Sequence, residues 1–599
     1  MNAVSPASKT GLPVRLALTA DDETIDTDQI ASVEIWWEAN RIPRARITIY
    51  DGQPDTESFP FSDAGTFVPG AKIVLSAGYG SDLAVIHRGV VVRHGLRIMP
   101  GTSAQLVVET SDPLLKMTLA RHSAVTEKAT DAALISALVS ANGGSMAGNA
   151  AGTSPVEAMV QAHASDWDLM LLRAEASGCV IVVDDKKVAV IDPTAGGSAV
   201  LTLEYGESIL SFDAQVDAVT QLGESVVNSR AWSYSDQAVA EATPAGNPEI
   251  TVPGNLKTAA LAEVLGVPAF VQQTAAARPE DELGKWSAAA LMRSRLSQFT
   301  GTVKFQGSAL ARPGKMVTLA GLGERFNGDA FVSGVRHLIR GGDWHTIADL
   351  GMPAERFASR DAKIVDPPAA GLAPPLRGLH IGQVMAVAED PNGDFRVQVT
   401  LPLTDADNAI WARLAQPYAS KGFGWSFFPE VGDEVVLGFM NEDPASAVIL
   451  ASVYSSPRPP THTPNKPNDI KALVTRSKME VNFNDKDVIL KISTPGGRYV
   501  ELDDKTGTVT VTDPNANKLV MKSDTVDLIS AANMTIKSAA NMTIDCGANL
   551  TVKAAVKYDL SAVQINATAS GQLALASNGM GSLKAAAILE INGALVKIN

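Results

Sequence analysis

The stretch SAANMTIKSAANMTIDCGANLTVKAAVKYDLSA repeats every eight residues. Asn533, Asn541 and Asn549 are spaced by eight, as are Met534, Met542, Leu550 and Tyr558, and Ile536, Ile544, Val552 and Leu560. The first three units alternate apolar, Thr, apolar, as a β-strand does, with two side chains on one face and Thr on the other. Asn, Gly and small residues then make a corner, where Asn tolerates left-handed backbone. Looser copies are Val509/Val511, Leu519/Met521, Val526/Leu528, Val563/Ile565, Leu573/Leu575, Leu589/Ile591 and Val596/Ile598. A closed coil of one chain needs roughly three such strands, and repeats that cannot bury their own face borrow neighbours. The pattern therefore predicts three chains wound together, each octad forming one side of a triangular prism with no unpaired lateral edge. Met534, Ile536, Met542, Ile544, Leu550, Val552 and Leu560 are the expected core of that trimer. A single-chain solenoid is the alternative.

Composition supports an unusual tail. The last tryptophan is Trp425, the last arginine Arg498 and the last proline Pro514, and Tyr558 is the only aromatic after Ser530. Burial energy scales with apolar area, so so lean a tail is either disordered or builds its core by repetition. The 599 residues carry 50 basic and 65 acidic side chains, a formal net charge of −15. That balance argues against nucleic acid as a partner, which would need a basic stripe, and against a polybasic membrane contact. No apolar run reaches the length of a transmembrane helix. The N-terminus has no charged region followed by an apolar one, so assembly in the cytoplasm without a signal peptide is expected. Two cysteines, Cys179 and Cys546, exclude a disulfide framework and argue against a cysteine zinc site.

The length suggests three to five domains. Pro-rich segments 365–378 and 459–474 read as linkers. Between them, 379–458 shows five or six short strands, two of them joined at Asp390-Pro391-Asn392-Gly393, and predicts an OB-fold barrel. Without a basic face, its expected role is structural. Residues 1–364 read as two related β-barrels with helical insertions. Thr130 caps one helix that ends near Gly143, Ser154-Pro155 opens a second, and Ser165 with Asp168 starts a third that ends at Gly178. CVIVVDDKKVAVIDP predicts a strand pair around Asp184-Asp185, and an Ala-rich helix runs from about Asp281 to Ser297.

Catalytic signatures do not emerge. GGSMAG (143–148) has Ala147 where a nucleophile elbow needs glycine. PGKM (313–316) has Met316 where a P-loop needs Ser or Thr. The histidines 87, 94, 122, 163, 337, 345, 380 and 462 show no metal spacing, and His337 and His345 read as polar strand ends around a loop. No enzyme activity, cofactor or metal is expected. The rival is a β-helical glycan-degrading tail-spike enzyme, which predicts coils of ~20 residues and a carboxylate cluster on a solenoid face. The period of eight argues against it.

RIPRARITIYDG, FVPGAKIVLSAGYG, SDWDLMLLRAEASG, RFNGDAFVSGVRH, WARLAQP with FPEVGDEVVLGF, and the octads ending in INGALVKIN occur in that order. Together they resemble the VgrG spike family of contractile injection systems, related to myophage tail hub and spike proteins. The resemblance covers nearly the whole chain. It implies a mainly β homotrimer: a hub (1–364), an OB-fold domain (379–458) and an intertwined triple-stranded β-helix needle (475–599). Such a spike adapts the tail tube to a puncturing needle for membrane penetration and effector delivery. The implied partners are the chain itself, a tail tube protein, baseplate proteins, effector cargo and a PAAR-repeat tip protein over Leu595, Val596 and Ile598. The spike would belong to an injection particle, extracellular or delivered into the target cell. The lysozyme domain of some relatives is replaced by segment 459–474. The toxin that follows some needles and a metal-binding HxH tip motif have no counterpart before Asn599. The compact N-terminal motifs look closer to extracellular injection particles than to type VI spikes.

Overall fold

The structure, a computed structural model, describes residues 3–9, 11–101, 103–360, 364, 367–403 and 409–598. It divides into two parts, residues 1–453 and 454–599.

Alternation builds the first part. In strand Ile30–Glu38, Val33, Ile35 and Trp37 are buried while Glu34, Trp36 and Glu38 face the other way. Strands Val14–Ala20, Arg44–Tyr50, Lys72–Tyr79 and Gln105–Ser111 repeat the pattern. They join Ile209–Val216, Phe299–Gln306, Gly328–Arg340 and Asp343–Leu350 in one sheet of 13 strands. The link between the halves is antiparallel pairing of Gly328–Arg340 with Ile30–Glu38, Arg336 opposite Trp36. Two apolar cores lie along this sheet. One contains Leu18, Ile35, Ile47, Ile73 and Leu106, the other Leu203, Phe299, Phe305, Val317 and Val332. Where two β-barrels were expected, the described strands form one continuous sheet that carries two apolar cores.

Local capping signals place the helices. Thr130 Oγ1 accepts from Ala133 N–H at 3.1 Å and starts helix Asp131–Ala141. Ser165 Oγ accepts from Asp168 N–H at 3.1 Å and starts Asp166–Ala176, which ends before Gly178 at φ +74°. The Ala-rich helix spans Glu280–Leu296. Strands Val180–Asp184 and Lys187–Ile191 form the expected hairpin, with positive φ at Asp185 and Lys186 as its right-twisted turn requires.

Two expectations are corrected. Ser154-Pro155 opens no helix: Val156–Ser165 is a strand paired with Arg121–Ala129. Burial there has period two, Met159 and Gln161 in, Ala158 and Val160 out, and pairing outweighs a local Pro signal that also suits a strand start. His337 is no strand end. It is buried mid-strand, Nδ1 3.0 Å from Thr346 Oγ1, with the Trp344 ring 5.7 Å away. Burial, with a smaller contribution from Arg312, pushes its pKa down to about 3. His87, buried against Thr110 Oγ1 at 2.8 Å, is pushed down by burial to about 4.

A pH dependence follows. The unfolded rings take protons near pH 6.5, whereas the folded rings resist to about 3 and about 4. Stability is therefore full above pH 6.5 and lost as pH falls below it, on the order of 3 kcal/mol per ring by pH 4. Thermal unfolding followed from pH 7.5 to 4.5 is expected to show this decline, and a His337→Asn variant a flatter one.

His380–Ala386, Val397–Thr400, Ala409–Leu414, Ala447–Ser452 and Glu434–Phe439 close into a five-stranded barrel. Its core is Val384, Val397, Val399, Ala412, Val435, Leu437, Ala447 and Ile449. In its first turn, Asp390 takes the Arg396 guanidinium at 2.6 Å and the N–H groups of Asn392 and Asp394. The Arg396 hydrogen bonds hold the Asp390 carboxyl well below the usual range.

The second part opens with a seven-stranded antiparallel meander in sequence order. Its strands are Ile470–Val474, Glu480–Asn484, Ile489–Ser493, Tyr499–Asp503, Thr508–Thr512, Lys518–Met521 and Val526–Ile529. The first of these lies inside the segment read as a linker, 459–474.

Candidate functional site

Register gives the meander one apolar face. Leu473, Val481, Ile492, Val500, Val511, Leu519 and Leu528 are opposite one another across successive strands. Two residues along, Phe483, Leu490, Leu502, Val509, Met521 and Val526 form a second column. Residues two apart share a face. The intervening column is Asn482, Lys491, Glu501, Thr510, Val520 and Asp527, with Lys491 Nζ 2.9 Å from Glu501 Oε2. Phe483, Ile492, Leu502 and Met521 remain exposed. The eight-residue pattern reaches only Val509/Val511, Leu519/Met521 and Val526/Leu528 of these columns, because the earlier strands are joined by turns of varying length. Alternation inside each four- or five-residue strand was the available signal.

Beyond Ser530 the backbone follows a fixed plan. Straight six-residue segments, 533–538, 541–546, 549–554, 557–562, 564–569, 572–577, 580–585 and 588–593, are separated by bends. Ser hydroxyls close several corners: Ser530 Oγ donates to Asn533 O at 3.1 Å and Ser538 Oγ to Asn541 O at 2.9 Å. The expected core residues Met534, Ile536, Met542, Ile544, Leu550, Val552 and Leu560 all stand at the second and fourth positions of their segments. So do Ile565, Leu573, Leu575, Leu589 and Ile591, and Leu583 stands at a fourth. Bends span two residues except at Val563, where one suffices. Val563 is therefore a corner residue, not half of an inward pair. That shorter corner is why apolar positions change there from even to odd numbers.

Within the single chain nothing covers these side chains. Met534 is 47% exposed, Ile536 67% and Leu560 61%, whereas Leu437 in the barrel core is 0%. Among the described residues of 530–598, no two segments pair as strands. A backbone unpaired along its length, with two apolar side chains per segment, needs both hydrogen-bond partners and cover. Leu595 lies in the last bend, and Val596 and Ile598 occupy first and third positions after it, all three exposed. Lys597 takes the second position that, apart from Gly581, apolar residues fill elsewhere.

Two clefts of the first part are lined by paired charges. One of about 1280 Å³ contains Trp36, Arg44, Arg46 and Glu109. There the Arg44 and Arg46 guanidinium groups lie over the Trp36 ring at 5.0 and 5.6 Å, and Arg46 and Arg93 both reach Glu109. Another of about 360 Å³ holds Arg173 between Asp131 (2.6 Å) and Glu282 (3.4 Å). Among the described residues no group of three His, Cys, Asp or Glu is placed to hold a metal. Burial pushes the Cys179 thiol up to about 12, which leaves it unreactive. No described helix is long and apolar enough to cross a membrane.

The family model of the Alg8 N-terminal domain matches residues 12–341, more than half of the chain. The chain belongs to this family. Its Alg8 N-terminal domain covers both cores of the 13-stranded sheet. A second model, described as the type VI secretion system/phage-baseplate injector OB domain, matches residues 380–454, the closed barrel. The chain is 25% identical over 116 residues to the actin cross-linking toxin VgrG1 of Vibrio cholerae. That match covers 17% of this chain, which spans only 11% of the relative. The prophage MuSo2 tail protein of Shewanella oneidensis superposes with a TM-score of 0.42 at 8% identity, over 57% of this chain and 99% of that one. An E. coli type VI secretion system component does so at 0.33 and 15%, over 73% and 99%. Beyond its Alg8 N-terminal domain, the chain is VgrG-like: mainly β, with a phage-baseplate OB barrel.

Proposed function

We propose that this chain is the trimeric central spike of a contractile, phage-tail-like injection system. Residues 1–364 act as the hub that meets the tail tube and baseplate proteins, 379–458 as the OB collar and 475–599 as the puncturing needle. The observation that carries this reading is the two-column apolar face continued by octads, exposed in one chain and unpaired within it. Three copies would bury the columns against one another and supply backbone partners between chains. The lack of octad pairing within the chain favours this over a single-chain solenoid. Off the pattern of the core positions, Val596 and Ile598 are free, with Leu595, to meet a PAAR-repeat tip protein.

The role is mechanical. Sheath contraction would push tube and spike forward, and a needle whose strands bond across chains resists load because three chains must separate together. Slim outward Thr, Ser and Ala keep it narrow. At about −45 for three chains, the particle is an acidic, soluble object with no electrostatic pull toward nucleic acid. Effector cargo would travel with the spike on firing. A glycan-degrading activity has no dedicated carboxylate face to rest on in the described octads. Native mass measurement and gels of unboiled against boiled protein test the reading. A heat-dissociable trimer is expected, and a stable monomer would overturn it.

A further inference from the structure

Residues 247–252, Asn-Pro-Glu-Ile-Thr-Val, alternate as a strand does yet pair with no other strand. Pro248, Ile250 and Val252 turn toward the protein, and Asn247, Glu249 and Thr251 are exposed. The segment is held in place. Ahead of it Ala245 N–H donates to Gly284 O at 2.9 Å, and behind it Gly254 N–H donates to Asn327 O at 2.8 Å. Gly254 is at φ +93°, and a Cβ there would lie 2.2 Å from Arg325 O, so this anchor requires glycine. Ile250 packs on a core cluster that contains Met292, Leu296, Met316 and Phe331. Among the described residues, no N–H or C=O group of 247–252 has a hydrogen-bond partner. A fixed, extended segment with open hydrogen-bonding groups is a template for one more strand.

The same segment walls a third cleft of the first part, of about 960 Å³, and this cleft holds a cation that has no counter-charge. Arg295, in the last turn of helix Glu280–Leu296, lines it and is only 8% exposed. Its Nη1 donates to Leu222 O at 2.9 Å. Among the described residues it forms no ion pair, and its Nε and Nη2 meet no acceptor. Burial pushes its pKa down, and Glu224, the acid that opposes the shift, makes no direct contact. A buried guanidinium is costly to leave unpaired, so its place in the wall of a cleft calls for an anion that enters. Helix Thr258–Leu265 starts at the same cleft, with Thr258 and Ala259 in the wall. Its N-cap residue is Lys257, which offers no acceptor, and the Thr258 hydroxyl donates to Gln298 Oε1 at 2.5 Å. Intrahelical bonding begins at Leu261 N–H, which leaves the N–H groups of Thr258, Ala259 and Ala260 open. A guanidinium with a row of open helix N–H groups suits a carboxylate.

We propose that this cleft binds the free carboxyl terminus of an extended peptide of a partner protein. The carboxylate lies on Arg295 and the start of helix Thr258–Leu265, and the peptide backbone adds as a strand along 247–252. The site goes beyond the spike reading and does not depend on three chains. Charge selects the occupant. Glu224, Glu249 and Glu263 are exposed in the cleft wall, and its cations are Arg295 and Lys257. More acid than base repels a phosphate dianion or nucleic acid. It accepts a single carboxylate preceded in its own chain by Lys or Arg. Six extended residues span about 20 Å, which suits a peptide of the same length.

The test passes two pools of random six-residue peptides over the immobilised full chain, one pool with free carboxylates and one amidated. Mass spectrometry then reads what is retained. Free-acid peptides are expected to exceed amides by about ten-fold or more, with Lys and Arg enriched upstream of the terminus. Arg295→Gln is expected to abolish that preference. Glu249→Lys with Glu263→Lys, both at exposed positions, is expected to keep the carboxylate preference and to exchange the basic enrichment for an acidic one. Equal retention of the two pools, or retention of neither, overturns the site. Displacement of the bound peptides by an equal concentration of inorganic phosphate replaces the peptide with a small anion and overturns the strand addition. A basic enrichment unchanged in the double variant overturns the charge argument for the occupant. None of these outcomes bears on the trimer, which native mass reads separately.

Discussion

Ile536→Asp is expected to turn the trimer into monomers at pH 7. Ile536 stands at the fourth position of segment 533–538, the position filled by Ile544, Val552, Leu560, Leu575, Leu583 and Ile591 in other segments. In three wound chains the substitution places three carboxylates around one axis, without a cation at the neighbouring second and fourth positions, Met534, Met542 and Ile544. Burying each one costs several kcal/mol unless it stays protonated. At about 3 kcal/mol per chain, the trimer dissociation constant rises roughly a million-fold. Like charges close together raise one another's pKa, so the defect should weaken as pH falls toward 4. Thr535→Asp, one residue away on the opposite face, should leave the trimer intact. Native mass across pH 4–8 checks all three expectations. A trimeric Ile536→Asp protein at pH 7 would show that the second and fourth positions do not face one another.

Register should matter as much as chemistry. Deletion of Thr543 shortens segment 541–546 and moves Ile544 to the outward face, because a one-residue slip inverts side-chain direction along a strand. Met542 then lacks its partner, and at about 1.5–3 kcal/mol per buried aliphatic side chain the three chains lose enough to abolish the heat-resistant band on an unboiled gel. One glycine inserted between Ala562 and Val563 should be harmless by the same assay. It makes that corner two residues long like the others and sets Ile565, Leu573 and Leu589 in the same phase as Met534 and Met542. If the insertion dissociates the trimer and the deletion does not, the corner is not where spacing is absorbed.

Much of this molecule was readable locally. Thr130 and Ser165 were legible as caps because a cap involves three or four consecutive residues, and both accept the expected N–H. The hairpin turn read around Asp184-Asp185, which lies one residue further on, and the barrel turn at Asp390–Gly393 were legible for the same reason. The octad was legible because repetition supplies its own control. What failed depended on distant partners. Val156–Ser165 is a strand because Arg121–Ala129 lies beside it, more than 25 residues earlier in the chain. His337 is buried because Trp344 and Thr346 fold back across a two-glycine turn. The apolar columns of the meander exist only once Val481 is opposite Ile492 and Ile492 opposite Val500.

By itself, the order of residues determined the eight-residue period, the two apolar positions in each unit and the capped helices. These follow from side-chain alternation and corner chemistry, which act over a few bonds. Tertiary structure alone decided that the two cores share one sheet, that a single short corner shifts the needle phase, and that the strands from Ile470 to Ile529 gather their apolar side chains on one face. Those depend on which residue is opposite which, and register is a property of pairs of segments that neither segment carries alone.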